Sequence, residues 1–304
     1  MMVIHRRFCW AWFTFVCLIG HGVASAQEVR VQNAGRLAKA RAEVYKTTGD
    51  TQLKLFVFEP AGHKAIDKRP AVVFFFGGGW NAGSPGQFAP QAEHLAKRGM
   101  VAICADYRVY SRHKAQVKDC VSDAKSTIRW VRSNAAKFGI APNRIAAGGG
   151  SAGGHLAAAV ATLDGFDEAD EDKSISSRPN ALLLFNPALD LTPEGFGRRA
   201  DEKKADIFRE RLGSDAKSLS PTHNIMSSGP PTILFHGRAD NTVPFKQAEE
   251  FARRMKEAGN RCDLEGYDGQ PHGFFNFGRN ENKFYDDTLA KADAFLVSLG
   301  WLEK

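Results

Sequence analysis

The sequence predicts an α/β fold: a doubly wound, mostly parallel sheet with helices on both faces. Three observations carry that expectation. Short apolar runs alternate with longer segments whose apolar residues recur at three- and four-residue spacing. The short runs, such as Ala71 to Phe76, are continuous rather than alternating, which suits strands buried on both faces. Glycine-rich stretches stand where such runs end, at 77–79 and 148–154. At 304 residues, 43% hydrophobic and 25% charged, the chain has the composition of a globular enzyme and the size of one large domain.

The first residues read as an address. His5, Arg6 and Arg7 form a positive start, Phe8 to Gly20 an apolar stretch, and Ala24-Ser25-Ala26 an A-x-A cleavage site, so residues 1–26 are expected to be a signal peptide and Gln27 the mature start. An uncleaved anchor is the alternative, although the apolar run is short of the ~20 residues a span needs. A secreted or periplasmic location follows, with no stable membrane insertion once the leader is gone. Losing Arg6 and Arg7 lowers the formal charge from +7 to +5. The remaining cations are scattered among acids without interleaved aromatics, which argues against nucleic-acid binding. Cys104, Cys120 and Cys262 remain, an odd number in predicted core positions, read as buried hydrophobes with a Cys104–Cys120 bridge as the open alternative.

Along the mature chain, 27–41 reads as a lead-in with a short helix, and Leu53 to Glu59 as a strand ending at the turn Pro60-Ala61-Gly62. Ala71 to Phe76 is a buried strand, Phe88 to Lys97 a helix closed by Gly99, and Val101 to Ala105 a strand. Val117 to Phe138 predicts a long amphipathic helix, with Val117, Val121, Ala124, Ile128, Val131 and Ala135 on one face. Ile145 to Ala147 is the next strand and Ala152 to Val160 a helix; Asp164 to Arg178 reads as a solvated acidic loop, and Ala181 to Phe185 as a buried strand. Residues 191–230 are charged and rich in Gly, Pro and Ser, with one helical piece at Ala205 to Leu212. A segment this long without a strand predicts a small lid-like insertion, or else a surface excursion. Pro231 to His236 and Asp263 to Tyr267 complete the strands, separated by a helix from Phe245 to Ala258, and Lys283 to Leu299 closes the chain as a helix.

Ser151 stands between a strand and a helix with glycines at 149 and 153, the G-x-S-x-G form of a nucleophile elbow. A phosphate-cradling loop is the competing reading, but no Lys-Ser/Thr pair follows the glycines. A serine hydroxyl is a weak nucleophile and needs a base, and the base needs a carboxylate to fix its tautomer. His272 lies on a glycine-flanked loop after the last strand and Asp240 on the loop after the strand before it, with Asp190 the second choice of acid. His155 is expected to pack, His236 to brace the acid loop, and His223 and Trp80 to touch substrate. The order Ser, Asp, His is that of the α/β-hydrolase fold. The amide of Ala152, at a helix N-terminus, and those of Gly78 and Gly79, after a buried strand, are the expected oxyanion donors.

Five stretches, FFGGGW at 75–80, ADYR at 105–108, GGGSAGGHLA at 148–157, HGRADNTVP at 236–244 and PHGFFNF at 271–277, resemble in order the α/β-hydrolase esterases related to hormone-sensitive lipase and to bacterial acetyl and feruloyl esterases. The resemblance runs from about residue 53 to the end and implies the triad Ser151, Asp240 and His272. It implies a serine carboxylesterase acting through an acyl-enzyme on a small-molecule or polysaccharide ester, with no metal or organic cofactor. Two departures matter: Phe76 stands where the family commonly has a histidine before the glycines, and the family's large N-terminal cap is missing, leaving a site open to bulky substrates. A prolyl-oligopeptidase-like peptidase and a non-catalytic binding protein of the same fold are the rival readings.

Overall fold

The structure, a computed structural model, describes residues 26–196 and 210–304. Residues 1–25 of the expected leader, and all but Glu210 to Leu212 of the helical piece expected at 205–212, lie outside the described residues. Among the described residues no helix is long and apolar enough to cross a membrane.

Eight strands form one sheet: β1 (Arg41–Thr48), β2 (Thr51–Phe58), β3 (Arg69–Phe75), β4 (Val101–Ala105), β5 (Ile140–Gly150), β6 (Ala181–Phe185), β7 (Thr232–Gly237) and β8 (Cys262–Tyr267), in the spatial order β1-β2-β4-β3-β5-β6-β7-β8. The β1/β2 and β2/β4 pairs are antiparallel and the rest parallel. The helices that lie wholly within the described residues are α1 (Ala26–Leu37), α2 (Ala89–Lys97), α3 (Tyr110–His113), α4 (Val117–Ser133), α5 (Ala152–Thr162), α6 (Phe245–Glu257) and α7 (Lys283–Ser298). One face of the sheet packs on α4, α5 and α6 through Val73, Phe75, Ile103 and Leu184; the other packs on α2 and α7 through Val72, Phe74, Ala102 and Leu183. Alternate residues of the central strands thus enter two different cores, which is why these strands are apolar throughout.

Four expectations change. Strand β1 was not anticipated: it is an edge strand in which only Tyr45 is buried, and its signal is the Gly49-Asp50 turn that folds it back on β2. Helix α4 stops at Ser133 instead of Phe138, because the Asn134 side chain donates to the Trp130 carbonyl (2.9 Å) and the chain turns through Gly139 at φ 57°. A Cβ at Gly139 would lie 2.5 Å from the Lys64 carbonyl.

The third change concerns cysteines. Cys104 and Cys120 are free and belong to cores on opposite faces of the sheet, so no bridge joins them; Cys120 instead lies 3.1 Å from the Arg108 carbonyl. Finally, three acids of 164–178, Asp167, Glu168 and Glu171, are gathered onto α4 and its neighbours, while Asp164, Asp170 and Asp172 stay exposed as expected. Asp167 pairs with Lys125 (2.9 Å), Arg129 holds both Asp167 and Glu171, and Glu168 joins Lys46 and Arg108 around the fully buried Asp123.

Candidate active site

Strands β3, β5, β7 and β8 all deliver their carboxyl ends to one rim, where α/β sheets bind ligands. Ser151 follows β5 directly, with φ 55° and ψ −118°. Such a conformation costs ~1–3 kcal/mol for a residue with a side chain and persists only where surroundings over-determine it. Here they do. The Ser151 N–H donates to the Phe185 carbonyl (3.0 Å), and its carbonyl accepts from the amides of His155 (2.9 Å) and Ala188 (3.2 Å). A Cβ on Gly153 would sit 2.0 Å from the Phe75 carbonyl oxygen, and one on Gly149 would sit 2.5 Å from the same atom.

The His272 ring joins the two other expected residues. Its Nε2 lies 2.9 Å from Ser151 Oγ and its Nδ1 lies 2.6 Å from Asp240 Oδ2. With Nδ1–H donating to the carboxylate, Nε2 is left free to accept the serine proton. Asp240 is almost wholly buried. Burial opposes its charge, but hydrogen bonding from His236, His272 and the Val243 amide outweighs that and holds the carboxyl well below the usual carboxylate range. Its Oδ1 accepts from the amides of Thr242 (2.8 Å) and Val243 (2.9 Å). His236 Nε2 lies 3.0 Å from the Val243 carbonyl and 3.3 Å from Asp240 Oδ2, so it braces the acid loop as its position suggested. Asp190, the second choice of acid, faces His223 (3.3 Å) and Thr192, not His272.

Ala152 follows Ser151 at the start of α5, and the glycine loop after β3 approaches Ser151 at Gly77, where a Cβ would lie 3.4 Å from the Ser151 Cβ. Gly78 and Gly79 have φ of 128° and 61°, conformations that only glycine adopts without strain. Among the described residues, the amides of Gly78, Gly79 and Ala152 donate to no protein acceptor, leaving them available to a developing oxyanion. The position that a histidine commonly fills is held in a different way. The Phe76 ring stacks on Tyr107 (4.1 Å between centroids), whose hydroxyl donates to the Phe76 carbonyl (2.7 Å).

Three side chains not selected from the sequence, Gln87, Asn186 and Asn276, complete the frame. Gln87 Oε1 accepts from the Gly77 amide (2.6 Å), and its Nε2 donates to Asn276 Oδ1 (2.9 Å). Asn276 in turn donates to the Gly273 carbonyl (2.8 Å), while the Gly273 amide donates to Asn186 Oδ1 (2.8 Å). The glycine loop, the histidine loop and the loop after β6 are thereby tied together. The sequence hints are slight: Asn276 lies inside the PHGFFNF motif, Asn186 follows a buried strand, and Gln87 sits on the short helical turn Pro85–Phe88 after the glycine loop.

Of the residues expected to touch substrate, Trp80 is 4% exposed and turned inward, its indole N–H donating to His155 Nδ1 (3.2 Å). It supports the glycine loop from beneath. His155, fully buried, lies 2.8 Å from the Leu219 carbonyl through Nε2, so it packs as expected; burial pushes its pKa down to about 4, only partly offset by the Leu219 hydrogen bond. His223 is part-exposed on a short turn of the insertion, tied to the loop after β6 by the Thr222 amide and Leu189 carbonyl (3.0 Å). A surface depression of about 1030 Å³, lined by Arg41, Arg69 and Lys97 among others, contains none of these residues; reactive geometry, not hollow size, locates the site.

The family model BD-FAE matches residues 57–255, and the dienelactone hydrolase family matches residues 213–304. Among solved structures, the apo form of Thermogutta terrifontis esterase 2 is 53% identical with a TM-score of 0.83, over 88% of this chain and 97% of that one. The same esterase phosphonylated by sarin is 52% identical with a TM-score of 0.85, over 88% and 98%. A probable isoprenylcysteine alpha-carbonyl methylesterase of Oryza sativa is 28% identical over 272 residues, 85% of this chain and 60% of the relative. The probable carboxylic ester hydrolase LipM of Mycobacterium tuberculosis is 30% identical over 225 residues, 65% of this chain and 49% of the relative. The chain therefore spans about half to three-fifths of the length of these curated relatives. With its fold, its strained serine turn and the match over most of its length, the chain belongs to the BD-FAE family, among the α/β-hydrolase serine esterases.

Proposed function

We propose that this protein is an exported serine carboxylesterase that removes short acyl groups, acetyl or feruloyl, from carbohydrate. The observation that carries the chemistry is the hydrogen-bonded chain from Ser151 through His272 to Asp240. In this reading Ser151 Oγ attacks the ester carbonyl as its proton passes to His272 Nε2, and Asp240 stabilises the imidazolium. The oxyanion receives hydrogen bonds from Ala152 and from Gly78 or Gly79. His272 then returns the proton to the departing alkoxide, and water, activated by the same ring, releases the acid and restores the serine.

A short acyl group is supported by the relative of known structure, which has been described with propionate bound and with butyrate bound. Its phosphonylation by sarin is consistent with an activated nucleophile of the kind assigned to Ser151. Export rests on the leader-like residues 1–26, and a carbohydrate substrate rests on that export and on the resemblance of the motifs to acetyl and feruloyl esterases.

The test is to incubate the protein and its Ser151→Ala variant with acetylated and feruloylated plant polysaccharide and to identify the acids released. Acetate or ferulate from the wild type alone is expected. Cleavage of p-nitrophenyl acetate without release of either acid would overturn the carbohydrate substrate and keep the esterase.

A further inference from the structure

We propose that Arg211 is a specificity residue that receives a carboxylate carried by the substrate, at the edge of the 77–80 glycine loop. The inference rests on that loop being the oxyanion loop. Arg211 Nη2 donates to the Gly79 carbonyl (3.1 Å), which places the guanidinium one peptide unit from an expected oxyanion donor. The guanidinium also lies over the ring of Tyr110 (5.0 Å to its centroid), and the Tyr110 amide donates to the Trp80 carbonyl (2.9 Å). Lys114 Nζ lies 5.1 Å from the same ring. Two cations and a part-exposed aromatic thus border the loop that surrounds the reacting carbonyl.

Two arginines near this pair in the chain, Arg108 and Arg112, have carboxylate partners in Asp123 and Asp106, whereas Arg144 and Arg279, among the described residues, donate only to carbonyls. Among the described residues no carboxylate pairs with Arg211 or Lys114, and Arg211 Nε is shielded with no acceptor at all. The side chain as a whole is part-exposed, so its charge is open to an anionic group that reaches it.

The backbone on either side of Arg211 is anchored. Leu212 is buried, the Glu210 carbonyl accepts from Gln116 Nε2 (2.9 Å), and Gly213 turns at φ 70° where a Cβ would meet the Gln116 side chain at 2.4 Å. The Gly79 bond and the Tyr110 ring set the planar fork beside the loop, and such a fork suits a carboxylate better than a neutral hydroxyl.

The experiment compares matched esters that differ by one charge. Para-acetoxybenzoate against its methyl ester places the carboxylate on the alcohol side; monoethyl succinate against ethyl butyrate places it on the acyl side. In at least one pair the wild type should favour the charged member. In that pair, Arg211→Gln should lower the charged-to-neutral ratio of kcat/KM by about tenfold, chiefly through KM. Arg211→Lys, which keeps the charge, should retain part of the preference, and the pair that responds tells which side of the ester carries the carboxylate. No preference in either pair, or an equal loss on charged and neutral esters in Arg211→Gln, would overturn this inference alone. Failure of the wild type on every neutral ester would overturn the esterase reading and this one with it.

Discussion

Ser151 occupies a backbone conformation that its neighbours must enforce, and the enforcement comes from atoms that cannot move far. Gly153 is the sharpest case, because its missing Cβ would overlap the Phe75 carbonyl at 2.0 Å. Gly153→Ala is expected to displace the elbow, lowering the melting temperature by several degrees and removing nearly all esterase activity. A variant that keeps both would contradict the assignment of this turn. His155 makes a second residue-scale prediction. Its Nδ1 accepts from Trp80, so the folded ring is neutral, and its pKa is about 4 in the fold. In the unfolded chain the ring takes up a proton near pH ~6.5. Its contribution to stability is therefore complete above that pH and is lost as pH falls from there towards 4, by up to ~1.4 kcal/mol per pH unit. His155→Gln keeps both hydrogen-bonding roles without titrating. Denaturant unfolding between pH 7 and 4 should give a shallower slope for the variant; equal slopes would contradict the argument.

Among the elements, α4 carries more than its apolar stripe. Asp123 on its buried side accepts from Lys46 of β1 and from Arg108, and so fastens the edge strand to the body of the sheet. Removing one partner of a buried ion pair commonly costs ~3–5 kcal/mol, because the charges left behind are unpaired. Asp123→Ala should lose stability of that order in urea unfolding; a loss under ~1 kcal/mol would show the cluster to be solvated. This same cluster explains what the sequence did not disclose. Strands β3 to β7 are legible because each carries a run of residues buried on both faces, a property of composition alone. Strand β1 buries one residue and owes its place to Lys46 and to the hairpin, which only the folded partner reveals. Asp167 and Glu171 look like part of a solvated loop for the same reason, since their partners on α4 lie some forty positions earlier in the chain.

For the molecule as a whole, the sheet order brings the ends of β5, β7 and β8 to one rim, and residues separated by 121 positions come within hydrogen-bond distance. Ser151, Asp240 and His272 were legible because each follows its own strand inside a recognisable motif. The Gln87–Asn276 link, across 189 positions, was not, because it depends on where two loops meet and neither residue type signals it. Trp80 departs from expectation on similar grounds: a large aromatic after three glycines suggests a substrate contact, and the fold instead turns it onto His155. The central claim is that all of this scaffolding activates one hydroxyl. Its most direct test is to treat the protein and its Ser151→Ala variant with a fluorophosphonate and locate the adduct by mass spectrometry, alongside turnover of p-nitrophenyl acetate. The account predicts one adduct per chain, on Ser151, absent from the variant, whose kcat falls by as much as ~10⁶. An adduct on another residue, or turnover retained without Ser151, would contradict it.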